Sequence, residues 1–168
     1  MIKIHYLDEL QKTIHLNSDN ALDLGSGKGK HSNLLSKNGW NVDSVDLDHK
    51  LKKYYRNLTN VNFFQIDLEK ESITKKFLPY HYSLILLFRF LHRPLLKNIP
   101  KLLKKNGLLF LETFMIKNNI GKLSNKNYML KSHELLRLKM DNMKLIHFFQ
   151  GKCATGKHLI QSAIFKKL

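Results

Sequence analysis

The stretch Ala21-Leu-Asp-Leu-Gly-Ser-Gly-Lys-Gly-Lys30 decides how this chain is to be read. Leu22 and Leu24 alternate with Asp23, the pattern of a short buried strand nearing its end. Gly25, Gly27 and Gly29 follow at every second position. Lacking a Cβ, they let the backbone turn sharply and come close to a ligand. The next segment, His31 to Gly39, sets Leu34 and Leu35 on one helical face and stops at a glycine. Its first turn presents free N–H groups, which suit a carboxylate or another electron-rich group. Strand, glycine turn and helix together predict a nucleotide-cofactor site.

The glycine spacing narrows the cofactor. A dinucleotide fingerprint reads G-x-G-x-x-G or A, its last small residue allowing close packing of helix on strand. Counted from Gly25 and Gly27, that place is held by Lys30, so the pattern here is G-x-G-x-G. A nicotinamide cofactor is disfavoured on this ground.

Two acids support the site. Asn41-Val-Asp-Ser-Val-Asp-Leu-Asp48 alternates as a second strand ending near Asp46. A carboxylate there, about 20 residues beyond the glycines, accepts both ribose hydroxyls of a bound nucleoside. Val61-Asn-Phe-Phe-Gln-Ile-Asp-Leu68 repeats the arrangement, with Asp67 expected to close a third strand beside an adenine ring. Either Asp alone reads better as a turn cap. Three strand-end positions in one chain favour the cofactor.

With these residues in place, the sequence resembles the class I S-adenosylmethionine-dependent methyltransferases over nearly its whole length. Leu22-Asp23-Leu24-Gly25-Ser26-Gly27-Lys28-Gly29 is similar to that family's first motif, whose turn contacts the methionine half of the cofactor. The resemblance implies S-adenosyl-L-methionine held by Asp23, Gly25, Ser26, Gly27, Gly29, Asp46, Leu47, Asp67, Leu68 and Phe88. It places the chain near the compact small-molecule branch that includes tellurite-resistance-type methyltransferases. It also implies a Rossmann-like, doubly wound α/β fold: a mostly parallel sheet of seven strands, the last antiparallel, with helices on both faces. No metal is implied.

The rest of the chain fits that architecture. Tyr82 to Phe88 is a near-continuous apolar run, as a central parallel strand requires. Leu95 to Lys105 carries apolar residues at helical spacing before Asn106-Gly107, although Pro94 and Pro100 invite a break. Gly107 to Phe114 reads as the next strand, and Lys117 to Asn127 as a polar loop. Ser132 is expected to cap a helix running to about Met140. Lys144 to Gln150 and His158 to Lys166 read as closing strands. We therefore expect one domain over residues 1–168, with a helix in 1–19 carrying Tyr6, Leu7, Leu10 and Ile14, and a loop and helix near the acceptor in 115–142.

Composition sets limits. A chain of 168 residues supports a single core. It has no apolar stretch long enough to span a membrane and no signal-peptide pattern. The single cysteine, Cys153, excludes an internal disulfide or a Cys-rich metal site and reads as a packing residue, so a cytoplasmic location is the default. The net charge of +16 suggests nucleic acid. Lys, however, outnumbers Arg 25 to 4, and the charge is spread along the chain. Specific nucleic-acid sites use Arg for bidentate contacts, so a solvated basic surface is the preferred reading. Lys50, Lys52, Lys53 and Arg56 are expected on one helix beside Tyr54 and Tyr55.

Specificity is expected from Phe88-Arg-Phe-Leu-His-Arg-Pro94, directly after the fourth strand. Arg89 and Arg93 would hold an anionic acceptor and His92 would remove a proton. Alternatively, Arg89 and Arg93 bridge to carboxylates such as Glu112, and His92 packs under Pro94. The segment departs from the Asn/Asp-Pro-Pro-Tyr/Phe pattern of amino-group methyltransferases. Glu112 and Tyr128 are secondary pocket candidates, and His31 reads as solvated. The partner expected is a small-molecule acceptor of a monomer or homodimer, with no membrane. An RNA methyltransferase and a non-catalytic, cofactor-binding regulatory domain stand as alternatives.

Overall fold

The computed structural model describes residues 12–13, 18–116 and 125–168. Seven strands form one sheet: β1 (Asn20–Leu24), β2 (Asn41–Asp46), β3 (Val61–Gln65), β4 (Tyr82–Phe88), β5 (Leu103–Phe114), β6 (Met143–Lys152) and β7 (Leu159–Lys167). Their spatial order is β3-β2-β1-β4-β5-β7-β6. The β1–β5 pairings are parallel, and β7 runs antiparallel to both β5 and β6. This is the expected doubly wound sheet with an antiparallel last strand.

Strand alternation divides the core between two faces. Ala21, Val42, Leu84, Leu86, Phe110 and Ile164 meet Leu35 of α1 (Lys30–Lys37) on one side. Leu22, Leu24, Val45, Ile85, Leu87, Leu109 and Leu111 face the other. There they are covered by a 3-10 turn at Ile73–Lys75 and by three four-residue helices: α2 (Arg93–Leu96), α3 (Ile99–Leu102) and α4 (Glu134–Arg137). Helices thus lie on both faces. Cys153 is buried, as a packing residue should be.

Several boundaries depart from expectation. The helix expected over Leu95–Lys105 is split in two, and β5 begins at Leu103 instead of Gly107. Each proline occupies a first helical turn, where its missing N–H costs nothing, and Pro100 cannot continue the helix before it. The helix expected from Ser132 to Met140 is one turn, entered at His133 with φ 56°. Its free N–H groups are met from afar: Gln161 on β7 accepts from Leu135 N–H at 2.9 Å. The basic segment after β2 is a 3-10 turn, His49–Tyr54, not an α-helix. Asp67 lies two residues beyond the end of β3. The amphipathic helix expected in 1–19 and the loop from Lys117 to Asn127 fall almost wholly outside the described residues.

Candidate cofactor and acceptor site

The glycine turn closes the carboxyl end of β1 and is held by its neighbours. Ser26 N–H donates to the Val45 carbonyl at 2.9 Å, and Gly27 N–H donates to Asp46 Oδ2 at 2.8 Å. The Tyr55 hydroxyl lies 2.7 Å from Ser26 Oγ and 2.9 Å from the Gly27 carbonyl oxygen. Gly25, Gly27 and Gly29 have φ of 70°, 55° and 73°, the left-handed region that favours glycine. A Cβ on Gly29 would stand 2.8 Å from the Tyr55 ring, whereas one on Gly27 would meet nothing within 4 Å. Gly29 is therefore small for packing, and Gly27 borders open space.

Asp23 sits beneath the turn, only 1% exposed. Ser32 Oγ donates to its carboxylate at 2.6 Å, and Ser44 Oγ donates to Ser32 at 2.9 Å. Burial raises the Asp23 pKa to about 6. It supports the turn from below and does not reach the pocket. Asp46 accepts from Gly27 N–H on one oxygen and from Asp48 N–H, at 3.1 Å, on the other. Each oxygen keeps a lone pair for a further donor. The Glu69 N–H, bonded to Asp67 Oδ1 at 3.0 Å, holds that carboxyl below its usual range, with Lys70 Nζ 3.3 Å away.

These groups border a pocket of 390 Å³ at the carboxyl ends of β1, β2 and β3. Gly25, Asp46, Leu47, Ile66, Asp67 and Leu68 form one side, and Glu69, Lys70, Phe90 and Tyr128 close it. Leu47 is 61% exposed, an apolar surface free to cover a planar ring. Phe88, expected here, is buried on the α1 face with its ring 4.4 Å from His31. Phe90 lines the pocket in its place. The cause lies between them: Arg89 has φ 60°, and this left-handed residue reverses the facing of the chain. His31 is half-buried, not solvated, and burial, with Lys30 and Arg89 adding to it, lowers its pKa to about 4.

A second pocket of 320 Å³ adjoins the first and shares Glu69 and Tyr128 with it. Its other walls are Leu91, His92, Arg93, Pro94 and Asn127. The Tyr128 hydroxyl donates to Glu69 Oε2 at 3.2 Å where the two pockets meet. Among the described residues, none forms a hydrogen bond or ion pair with the His92 ring. Arg93, expected to hold an acceptor, donates instead to Glu134 at 2.7 and 3.0 Å and to the carbonyls of Asn127 and Met129 at 2.7 and 3.0 Å. Arg89 is likewise engaged: its Nη2 lies 3.1 Å from Glu112 Oε1, and its guanidinium stands 4.4 Å from the centre of the Phe114 ring. Both arginines thus bridge to carboxylates, although Arg93 uses Glu134 and not Glu112. Burial raises the Glu112 pKa to about 7.

Residues 4–152 match the family described as the methyltransferase domain. The chain belongs to that family of methyltransferase domains. Among solved structures, it is similar to TehB from Haemophilus influenzae: 16% identity, 96% of this chain, 62% of that one and a TM-score of 0.73. At this identity the likeness is one of fold. It is also similar to the 1,6-didemethyltoxoflavin-N1-methyltransferase of Burkholderia thailandensis, solved with bound 1,6-didemethyltoxoflavin and S-adenosylhomocysteine. That match has 15% identity, 98% and 79% coverage of the two chains and a TM-score of 0.68. A curated relative, the rRNA adenine N-6-methyltransferase of Limosilactobacillus reuteri, is 35% identical over 75 residues. That match covers 44% of this chain and 30% of the relative.

The pocket suits the cofactor's chemistry. Asp46 and Asp67 keep acceptor capacity for hydroxyl and amino groups, Leu47 and Leu68 offer apolar cover, and Gly25 brings bare backbone to the pocket wall. Phe90, Glu69 and Tyr55 escaped the sequence reading. Phe90 lay within the quoted specificity segment, but strand alternation assigns it to the wrong face. Tyr55 carried no signal beyond its place among basic residues.

Proposed function

We propose that this enzyme methylates a small-molecule acceptor seated in the pocket around His92. The observation that carries this reading is the pair of adjoining pockets divided by Glu69 and Tyr128. A donor in the first would lie next to an acceptor in the second. Asp46 would hold the ribose, Asp67 the adenine amino group, and the backbone at Gly25 to Gly27 the methionine half. When bound, the cofactor supplies a methyl group already activated by its sulfonium. The protein's task is then to align the acceptor, exclude water and accept a proton where the acceptor is a hydroxyl or an amine. His92 is placed for that last role, being half-buried, at the second pocket and in no hydrogen bond or ion pair with a described residue. With both arginines committed to carboxylates, the site offers no free guanidinium for an anion, which favours a neutral or cationic acceptor.

Calorimetric titration with S-adenosylhomocysteine tests the cofactor half. We expect micromolar binding by the wild type, at least tenfold weaker binding by Asp46→Ala, and unchanged binding by His92→Ala. With an acceptor in hand, His92→Ala should lower turnover. Loss of cofactor affinity in a folded His92→Ala protein would refute this division of roles.

A second reading, methylation of RNA, draws on the partial likeness to an rRNA methyltransferase and on the net charge of +16. It requires RNA binding that weakens steeply with salt. Fluorescence anisotropy with an rRNA fragment at two salt concentrations separates the readings. Weak binding that vanishes at physiological salt, with no methyl incorporated, favours the small molecule.

A further inference from the structure

Arg89 is a non-glycine residue in the left-handed region, at φ 60°. Such a conformation persists only where its surroundings impose it. Here two contacts do so, both from one residue of the neighbouring strand: Arg89 N–H donates to the Glu112 carbonyl at 2.8 Å, and its guanidinium faces the Glu112 carboxyl at 3.1 Å. That carboxyl is fully buried, and neither oxygen accepts a hydrogen bond. A buried charge held by a single ion pair is costly to keep on a sheet face shared with Phe88, Phe110, Ile164 and the small side chain of Ser162. The cost is matched by what the turn achieves. It directs Phe88 to the α1 face and Phe90 to the cofactor pocket, where the Phe90 Cβ lies 3.1 Å from the place of a Cβ on Gly25.

We propose that Glu112 is a positioning residue for cofactor binding: its carboxylate holds Arg89 in the left-handed turn and so sets Phe90 as a wall of the cofactor pocket. This rests on the reading of that pocket as the cofactor site. The groups around Glu112 are few. Phe88 on β4 and Ser162 on β7 are its cross-strand neighbours, and His31 on α1 lies against Phe88. Arg89 is its charged neighbour, with Lys30 acting on His31 from the first turn of α1.

The test combines two substitutions. Glu112→Gln keeps the shape and removes the charge. Arg89→Gly supplies the left-handed turn without needing the pair, because glycine adopts it freely. We expect Glu112→Gln alone to weaken S-adenosylhomocysteine binding by about tenfold, and the same substitution in the Arg89→Gly protein to change it less than twofold. A merely structural glutamate would give the same loss in both backgrounds, and that result overturns the proposal. In the wild type, affinity should fall as pH drops through about 7, where Glu112 takes up a proton, and Glu112→Gln should flatten that part of the profile. An unchanged profile also overturns it. Exchange of the Arg89 amide, faster in Glu112→Gln than in wild type, reads the turn without any ligand. The turn is thereby tested even if the wild type binds no S-adenosylhomocysteine, a result that would instead sink the cofactor reading.

Discussion

Two glycines of one turn meet different demands. Gly29 is pressed against the Tyr55 ring, while Gly27 faces open space, and both have positive φ. Gly29→Ala should therefore lose both conformational ease and packing, costing about 2–4 kcal/mol in denaturant unfolding. Gly27→Ala should cost only about 1 kcal/mol of stability, because its methyl would meet nothing within 4 Å and only the positive φ is penalised. Equal stability losses in the two variants would refute the distinction. Asp23, under the same turn, makes a pH-dependent contribution. Its folded-state pKa near 6 lies above that of an unfolded aspartate, so between about pH 4 and 6 the native state keeps a proton that the unfolded chain has released. Stability from this group is present at low pH and lost as pH rises through 6, a loss on the order of 3 kcal/mol. Asp23→Asn still accepts from Ser32 but cannot titrate. Across that window, the difference in unfolding free energy between variant and wild type should grow in the variant's favour, and a constant difference would rule this out.

Short helices on the face opposite α1 are ordered by long-range contacts more than by their own sequences. One-turn helices have little intrinsic stability. α4 is positioned by Gln161, whose side chain accepts from Leu135 N–H and donates to the Lys131 carbonyl at 2.6 Å. The segment leading into α4 is clasped by the four hydrogen bonds of Arg93. Arg93→Ala should thus destabilise the protein by about 1–2 kcal/mol, the partial exposure of the pair limiting the effect. It should also speed amide exchange at Leu130 and Leu135 while leaving the β4 amides protected. Uniform change across the chain would show that the clasp is not local. The sequence revealed the prolines that split the helix but not these partners. Arg93 and Glu134 stand 41 positions apart, and no local pattern joins them.

Strand order reverses between β1 and β4 at the middle of the sheet, and the candidate cofactor pocket lies beside that point, over the carboxyl ends of β1, β2 and β3 with Phe90 as one wall. The net charge of +16 surrounds this framework. Like charges dispersed over a small surface repel in the compact state, and salt screens them over about 10 Å at 0.1 M. The midpoint of thermal unfolding should rise as sodium chloride is raised from low to moderate concentration, and a flat response would show that repulsion among these charges costs the folded state little.

What could be read from the chain alone was whatever depends on neighbouring residues. The glycine turn at Gly25–Gly29 demands positive φ, the apolar run Tyr82–Phe88 demands a strand covered on both faces, and Asp46 follows at the interval that one crossover fixes. Tertiary structure decided everything that depends on which distant groups meet. It placed Arg93 on Glu134, Gln161 at the start of α4 and Tyr55 behind the glycine turn. It also turned Phe90, not Phe88, toward the pocket, because a single left-handed residue reverses strand alternation and nothing in the type of residue 89 announces it. Periodicity reports burial along one element, whereas a site is made where several elements end. Its geometry is therefore set by packing between segments that the sequence keeps far apart.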